Sequence, residues 1–142
     1  MSDCVFCDIV AGTAPASIVY QDDVVIAFMD IRPVNPGHLV VIPREHSTSL
    51  AEMDEETGMY LFSVTMRLAQ AVRDSGVKCE GINLFVADGE AAGQEIFHLH
   101  ILVFPRFKND SFRVNVDWSV QPSRDELDEI AARISRAYQS LA

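Results

Sequence analysis

The hydrophobic period of this chain changes at Asp54 and changes back near Gly81, and that double switch restricts it to a sheet carrying a long helix. Up to Pro43 the pattern is β: in "IVYQDDVVIAFMDI" two β-rich runs flank Asp22 and Asp23, "RPVNPG" forbids regular structure, and "HLVVIP" reads as a strand closed by Pro43. From Asp54 onward Leu61, Val64, Leu68 and Val72 recur at helical spacing. Asp54 is placed to cap that helix, Glu55 and Glu56 suit its first turn, and Gly76 can end it. "GINLFVA" and "IFHLHILVF" return to a strand pattern, joined by "DGEAAGQ". A last helix starts at Ser123, where Ser-x-x-Glu with Glu126 makes a capping box, and it carries Leu127, Ile130, Ile134 and Leu141 on one stripe. The order predicts an α+β fold: a mainly antiparallel sheet of about five strands, one long helix packed on it, and a C-terminal helix.

A chain of 142 residues with 49% hydrophobic content supports one sizeable core, so a single domain over residues 1–142 is expected. Its formal net charge of -10 argues against a long footprint on nucleic acid or on an anionic membrane. The opening "MSDCVFCDIV" lacks the features of a signal peptide, and no stretch approaches the ~18 apolar residues of a membrane span, so a cytoplasmic protein is expected. Three cysteines, two of them in a C-x-x-C, fit a reducing compartment better than a disulfide scaffold.

The chain holds four histidines, and two of them, His98 and His100, stand two residues apart in "GQEIFHLHILVFPR". With a strand period of two, Ile96, His98, His100, Leu102 and Phe104 share one face, and Phe97, Leu99, Ile101 and Val103 form an apolar face suited to a helix. Aligned imidazoles are satisfied buried groups, metal ligands, or a nucleophile and proton carrier. A backbone carbonyl on one ring nitrogen leaves the other lone pair aimed outward. The loop Asp88 to Gln94 offers N–H groups and an amide that suit an oxyanion or a phosphate.

"AGQEIFHLHILVFPR" resembles the signature of the histidine triad family, in which His-x-His-x-His follows a Gly-Gln pair. The similarity extends through "CVFCDIVAGTAPASIVYQDDVVIAFMDIRPVNPGHLVVIPREH" and covers nearly the whole chain. The resemblance implies a HIT-like fold and a homodimer that binds purine nucleotides and hydrolyses or transfers nucleotidyl groups, with no cofactor needed for the chemistry. By position it makes His100 the nucleophile at the α-phosphorus, His98 the residue whose carbonyl orients it, and His38 a neighbour of the phosphate. Gly93 and Gln94 fall on the phosphate loop and Asp30 on the ribose site. Phe6, Phe28, Ile31 and Val40 fall on the base pocket. Read without the family, Asp30 is more readily an Asx-type turn former than a ligand group, and Phe6 and Phe28 are ordinary core.

A C-x-x-C is a redox dithiol or half of a zinc site. Cys4 and Cys7 have no strand before them, which weakens the redox reading. Some bacterial-type relatives complete a structural zinc site with two histidines, and the resemblance places His46 and His98 there. Cys79 has no partner in sequence.

The pattern is broken at Leu102, which stands in the third histidine position, and at Ala87, where relatives usually carry an amide; Glu95 replaces a hydroxyl. Losing one positioned acid or donor costs on the order of 10²–10⁴ in rate. Two functions follow: a nucleotide hydrolase or transferase of modest activity on a nucleoside phosphoramidate or dinucleoside polyphosphate, or a non-catalytic purine-nucleotide-binding homodimer.

Overall fold

A computed structural model of the chain describes residues 3–141 as two compact units, residues 3–112 and residues 113–141. The first contains α1 (Val5–Ala11), β1 (Ile18–Gln21), β2 (Val25–Met29), β3 (Leu39–Pro43), α2 (Glu55–Asp74), β4 (Gly81–Phe85) and β5 (Ile101–Arg106). The second contains α3 (Arg124–Gln139), which opens on the expected Ser123–Glu126 capping box. No helix among the described residues is long and apolar enough to cross a membrane.

The five strands form one antiparallel sheet in the order β1-β2-β3-β5-β4. Alternation sends Val25, Ala27, Leu39, Val41, Ile101 and Val103 to one face, where they bury against Leu61, Val64, Leu68 and Val72 of α2. Those four helical positions are the ones the 3.6-residue period selects. Burial of each such side chain contributes about 1.5–3 kcal/mol. The opposite face carries Ile26, Phe28, Val40 and Ile42 under Phe6 of α1.

The last sequence run departs from expectation at its start, because the regular strand begins at Ile101 and not at Ile96. Partnering with β3 reaches Val41↔Ile101 and stops as Pro43, which has no N–H, approaches. The segment before it bonds elsewhere: Leu99 N–H donates to Ser47 O at 2.7 Å, and Phe97, expected on the helix-covered face, is 45% exposed.

Two polar clusters fix the corners of the first unit. Asp22 accepts from Tyr20, Tyr60 and the Val24 and Val25 amides, tying the β1–β2 turn to α2. Burial pushes this carboxyl up, but those four hydrogen bonds outweigh it and hold it well below the usual carboxylate range. A depressed carboxyl stabilises the fold fully above its unfolded pKa of about 3.9 and loses that contribution as pH falls toward the folded value. Urea midpoints of the wild type are therefore expected to drop between about pH 5 and pH 2, and Asp22→Asn to flatten that slope. An unchanged slope in the variant would refute the assignment.

At the other corner Asn35 donates to Pro105 O at 2.9 Å and to Asp110 Oδ2 at 2.8 Å, and Arg106 grips Asp110 through Nε at 2.6 Å and Nη2 at 2.8 Å. This pins the loop before His38 against β5. Gly37 in that loop has φ +96°, and a Cβ there would stand 2.8 Å from Val77 Cγ1 and 3.1 Å from Pro105 Cγ. Gly37→Ala combines backbone strain with overpacking and is expected to cost about 2–4 kcal/mol in urea unfolding. A loss under about 0.5 kcal/mol would show that the loop yields freely.

Candidate functional site

The face opposite α2 bears a cavity of about 340 Å³, walled by α1, the end of β2, the loop after it, and the segment from Gly93 to Leu102. Its apolar part follows from strand register. Phe28 pairs with Val40, Val40 with Leu102 and Leu102 with Phe85, so four apolar side chains run across four strands. Phe6 covers this row, edge-on to Phe28 at 5.3 Å and to His100 at 5.1 Å between centroids. A planar, partly apolar ligand group fits such walls.

The polar part is built by carbonyls. His100 Nδ1 lies 2.8 Å from His98 O, and since a carbonyl only accepts, Nδ1 carries the proton and Nε2 keeps its lone pair. Burial lowers the His100 pKa, while the His98 carbonyl and Asp30 oppose the shift, and a ring held neutral is a nucleophile. His98 itself is fully buried and turned the other way, donating from Nε2 to Pro43 O at 2.7 Å. Its Nδ1 lone pair then faces Cys4 Sγ at 3.5 Å and Cys7 Sγ at 3.6 Å.

His38 has a third arrangement. Its Nδ1 accepts the Val34 N–H at 3.1 Å, which places the proton on Nε2. That Nε2 is a buried side-chain nitrogen without a hydrogen-bond partner, 3.5 Å from Asp30 Oδ2 in poor alignment. Burial lowers the His38 pKa, Asp30 opposes the shift and His100 reinforces it. His38 lies behind the cavity wall and not on it, and its neighbour Asp30 is the group that reaches the cavity.

The other expected site residues divide. Asp30 is both things its sequence allowed: Oδ1 accepts the Arg32 N–H at 2.8 Å as an Asx turn, and the carboxylate lines the cavity. Phe6, Phe28 and Val40 are buried on the cavity wall, and Ile31, also on the wall, is 94% exposed. Gly93 and Gln94 reach the wall as well. The Gly-rich loop differs from expectation, because the amides of Ala92, Gly93 and Gln94 bond within its own turn. The Gln94 side chain is likewise engaged, accepting from Gly89 N and donating to Thr48 O and Ile96 O. With Gly89, four of the seven amides from Asp88 to Gln94 are engaged inside the loop. Sequence reasoning missed Phe85 and Arg32 on the wall; the β4–β5 register that brings Phe85 there is a tertiary property.

Cys4, Cys7, His46 and His98 offer two sulfurs and two nitrogens, all within 4.8 Å of one another. A tetrahedral zinc with bonds of about 2.3 Å to sulfur and about 2.1 Å to nitrogen has S···N edges of about 3.6 Å. The three S···N separations of 3.2, 3.5 and 3.6 Å match that edge, and the fixed tautomer of His98 aims a lone pair into the cluster, so the residues fit the ion. Burial pushes the Cys7 thiol up, and Cys4 and Asp8 add to the shift, a load that a bound cation relieves.

Comparison with known proteins places these features in a family. The HIT domain profile matches residues 11–109. A HIT family protein of Bacillus anthracis of known crystal structure is 35% identical, covering 96% of this chain and 97% of its own, with a TM-score of 0.86. A zinc-bound histidine triad family protein of Mycobacterium smegmatis is 37% identical, covering 95% of this chain and 97% of its own, with a TM-score of 0.74. Among sequence relatives, the adenylylsulfatase HINT3 of Arabidopsis thaliana is 37% identical over 112 residues, 77% of this chain and 55% of that protein.

Proposed function

This chain belongs to the HIT family, and on that premise we propose that it is a nucleotide hydrolase or nucleotidyl transferase using His100 to attack the α-phosphate of a purine nucleoside conjugate. The observation that carries this reading is the His100 ring, its Nδ1 held by the His98 carbonyl, on the wall of a cavity that Asp30 also lines. The base lies between Phe6, Phe28, Ile31 and Val40, Asp30 accepts the ribose hydroxyls, and Gly93 with Gln94 closes the phosphate end. His38 acts from behind the wall through its neighbour Asp30. A nucleotidyl-His100 intermediate forms and water releases the mononucleotide. The adenylylsulfatase relative supports chemistry at an adenylyl phosphorus. The test is turnover of adenylylated substrates and its dependence on His100.

A structural zinc on Cys4, Cys7, His46 and His98 tethers α1 to the sheet, and the zinc-bound relative supports it. The exposed apolar side chains Met59, Phe62 and Met66 of α2 support the homodimer; a monomer by sedimentation at micromolar concentration excludes it. The apolar side chains at Leu102 and Ala87 favour a second reading, a purine-nucleotide-binding protein without turnover, which binding without hydrolysis of any adenylylated substrate would establish.

A further inference from the structure

We propose that Cys4 and Cys7 form a peroxide-sensitive switch: their oxidation to a disulfide expels the ion held with His46 and His98, loosens α1 and weakens ligand binding in the cavity that α1 walls. The proposal rests on the readings of the cluster as a zinc site and of the cavity as a nucleotide site, and adds a control that joins them.

The local fold places the two sulfurs for the reaction. Cys4 is the N-cap of α1 and Cys7 lies in its first turn, where the Cys7 N–H donates to Cys4 Sγ at 3.4 Å. Both sulfurs turn to one side and lie within 4.8 Å of each other. Residues three apart across one turn hold their Cα atoms within the roughly 4.4–6.8 Å that a disulfide spans. The cluster is also open on one side: His46 is exposed, Cys7 Sγ meets His46 Nδ1 there at 3.2 Å, and both cysteines are only half-buried. A thiolate, not a thiol, attacks peroxide, and coordination keeps both sulfurs in that form.

Two routes carry the change to the cavity. α1 has seven residues, too few to persist as an isolated helix, and its Val5, Phe6 and Ile9 line the cavity. Phe6 stands between the cysteines in the chain and meets Phe28 at 5.3 Å and His100 at 5.1 Å between centroids. On the other side, His46 is two residues from Thr48, whose carbonyl accepts from Gln94 Nε2 at 2.8 Å, and Gln94 lines the cavity too. A disulfide removes two of the four ligands, and the two histidines left do not retain zinc. α1 and the segment 46–48 then lose their tie to each other and to His98. The apolar seat of Phe6 remains, so the wall loosens without being lost.

The step balances with hydrogen peroxide as the oxidant. The Cys7 sulfur, nearer the open side, attacks a peroxide oxygen, the O–O bond breaks, and hydroxide leaves and takes a proton from solvent. The Cys4 sulfur attacks the resulting sulfenic sulfur, the S–S bond forms, and the S–O pair leaves as a second hydroxide that takes a second proton. Two electrons pass from the sulfurs to peroxide, which becomes two waters, and a dithiol reductant reverses the change.

The experiment treats zinc-bearing full-length protein with hydrogen peroxide and follows thiol count, intact mass, zinc release to a chelating dye, and Kd for AMP by calorimetry. The thiol count is expected to fall from three to one, with the mass lower by two hydrogens and one zinc released per chain. AMP should bind about tenfold more weakly, and dithiothreitol with added zinc should restore all four readings. Cys79→Ala, outside both cluster and cavity, should respond alike, its thiol count falling from two to none. Zinc-bearing protein that keeps its thiols and its zinc under peroxide overturns the proposal and leaves the zinc site standing. So does a disulfide that releases zinc while AMP affinity is unchanged. Protein without zinc after purification free of chelator, or reduced protein that binds no AMP, removes the zinc or the nucleotide reading respectively, and the proposal with it.

Discussion

His100→Ala is expected to lower turnover of an adenylylated substrate by about 10⁴-fold or more, roughly 5.5 kcal/mol of barrier, while mononucleotide affinity changes only severalfold. The asymmetry follows from what the ring does. On the proposed reading most of the binding contact comes from the Phe28–Val40–Leu102–Phe85 row, the Phe6 cover and the Asp30 carboxylate, while the imidazole adds an edge contact to Phe6. The covalent route needs its Nε2 alone. Measuring kcat by mononucleotide release and Kd by calorimetry separates the two. Residual turnover within tenfold of wild type would mean that another group attacks phosphorus; equal loss of binding and turnover would mean that the ring is a wall of the pocket and not its nucleophile.

Zinc removal is expected to have the second largest effect. The protein should carry one zinc per chain after purification without chelator, and stripping it, or Cys4→Ser with Cys7→Ser, should lower Tm by about 10 °C or more. The cluster joins residues 4 and 7 to residues 46 and 98, so it closes loops that the short α1, of seven residues, cannot hold by itself. Function should follow stability. Phe6 lies between the two cysteines and packs edge-on to His100 at 5.1 Å, and the carbonyl that accepts from His100 Nδ1 belongs to His98 of the same four-residue cluster. Zinc-free protein should therefore bind mononucleotide about tenfold more weakly. Native protein free of metal, unable to take up one equivalent and unchanged in Tm by chelator, would eliminate the site.

Much of the fold was legible because its causes are local. The helical spacing of Leu61, Val64, Leu68 and Val72 identified the buried face of α2, and the hairpin, the Pro43 stop and the Ser123 cap each depend on a few adjacent residues. The strand start was misjudged by five residues. Alternation alone continues back to Ile96, whereas pairing ends where Pro43 on the neighbouring strand lacks an N–H. The Gly-rich loop was legible only in part, since its glycines do not show that Gln94 folds back and bonds the Gly89 amide.

The chemistry divides along the same line. Residue types and spacing alone supplied the His98 and His100 pair, the C-x-x-C, the Pro-Gly-His and the missing histidine at Leu102, because side-chain identity is written in the chain. Tertiary structure fixed the tautomers of His100, His38 and His98. One tautomer is set by a carbonyl two residues away, another by the Val34 amide, and the third by Pro43 O, 55 positions distant in the chain. A proton sits on whichever ring nitrogen meets an acceptor, and which groups meet is decided only when the strands pair and the loops close. The same closure turned Leu102 from a gap in a motif into part of an apolar row, because strand register alone decides which side chains stand beside it.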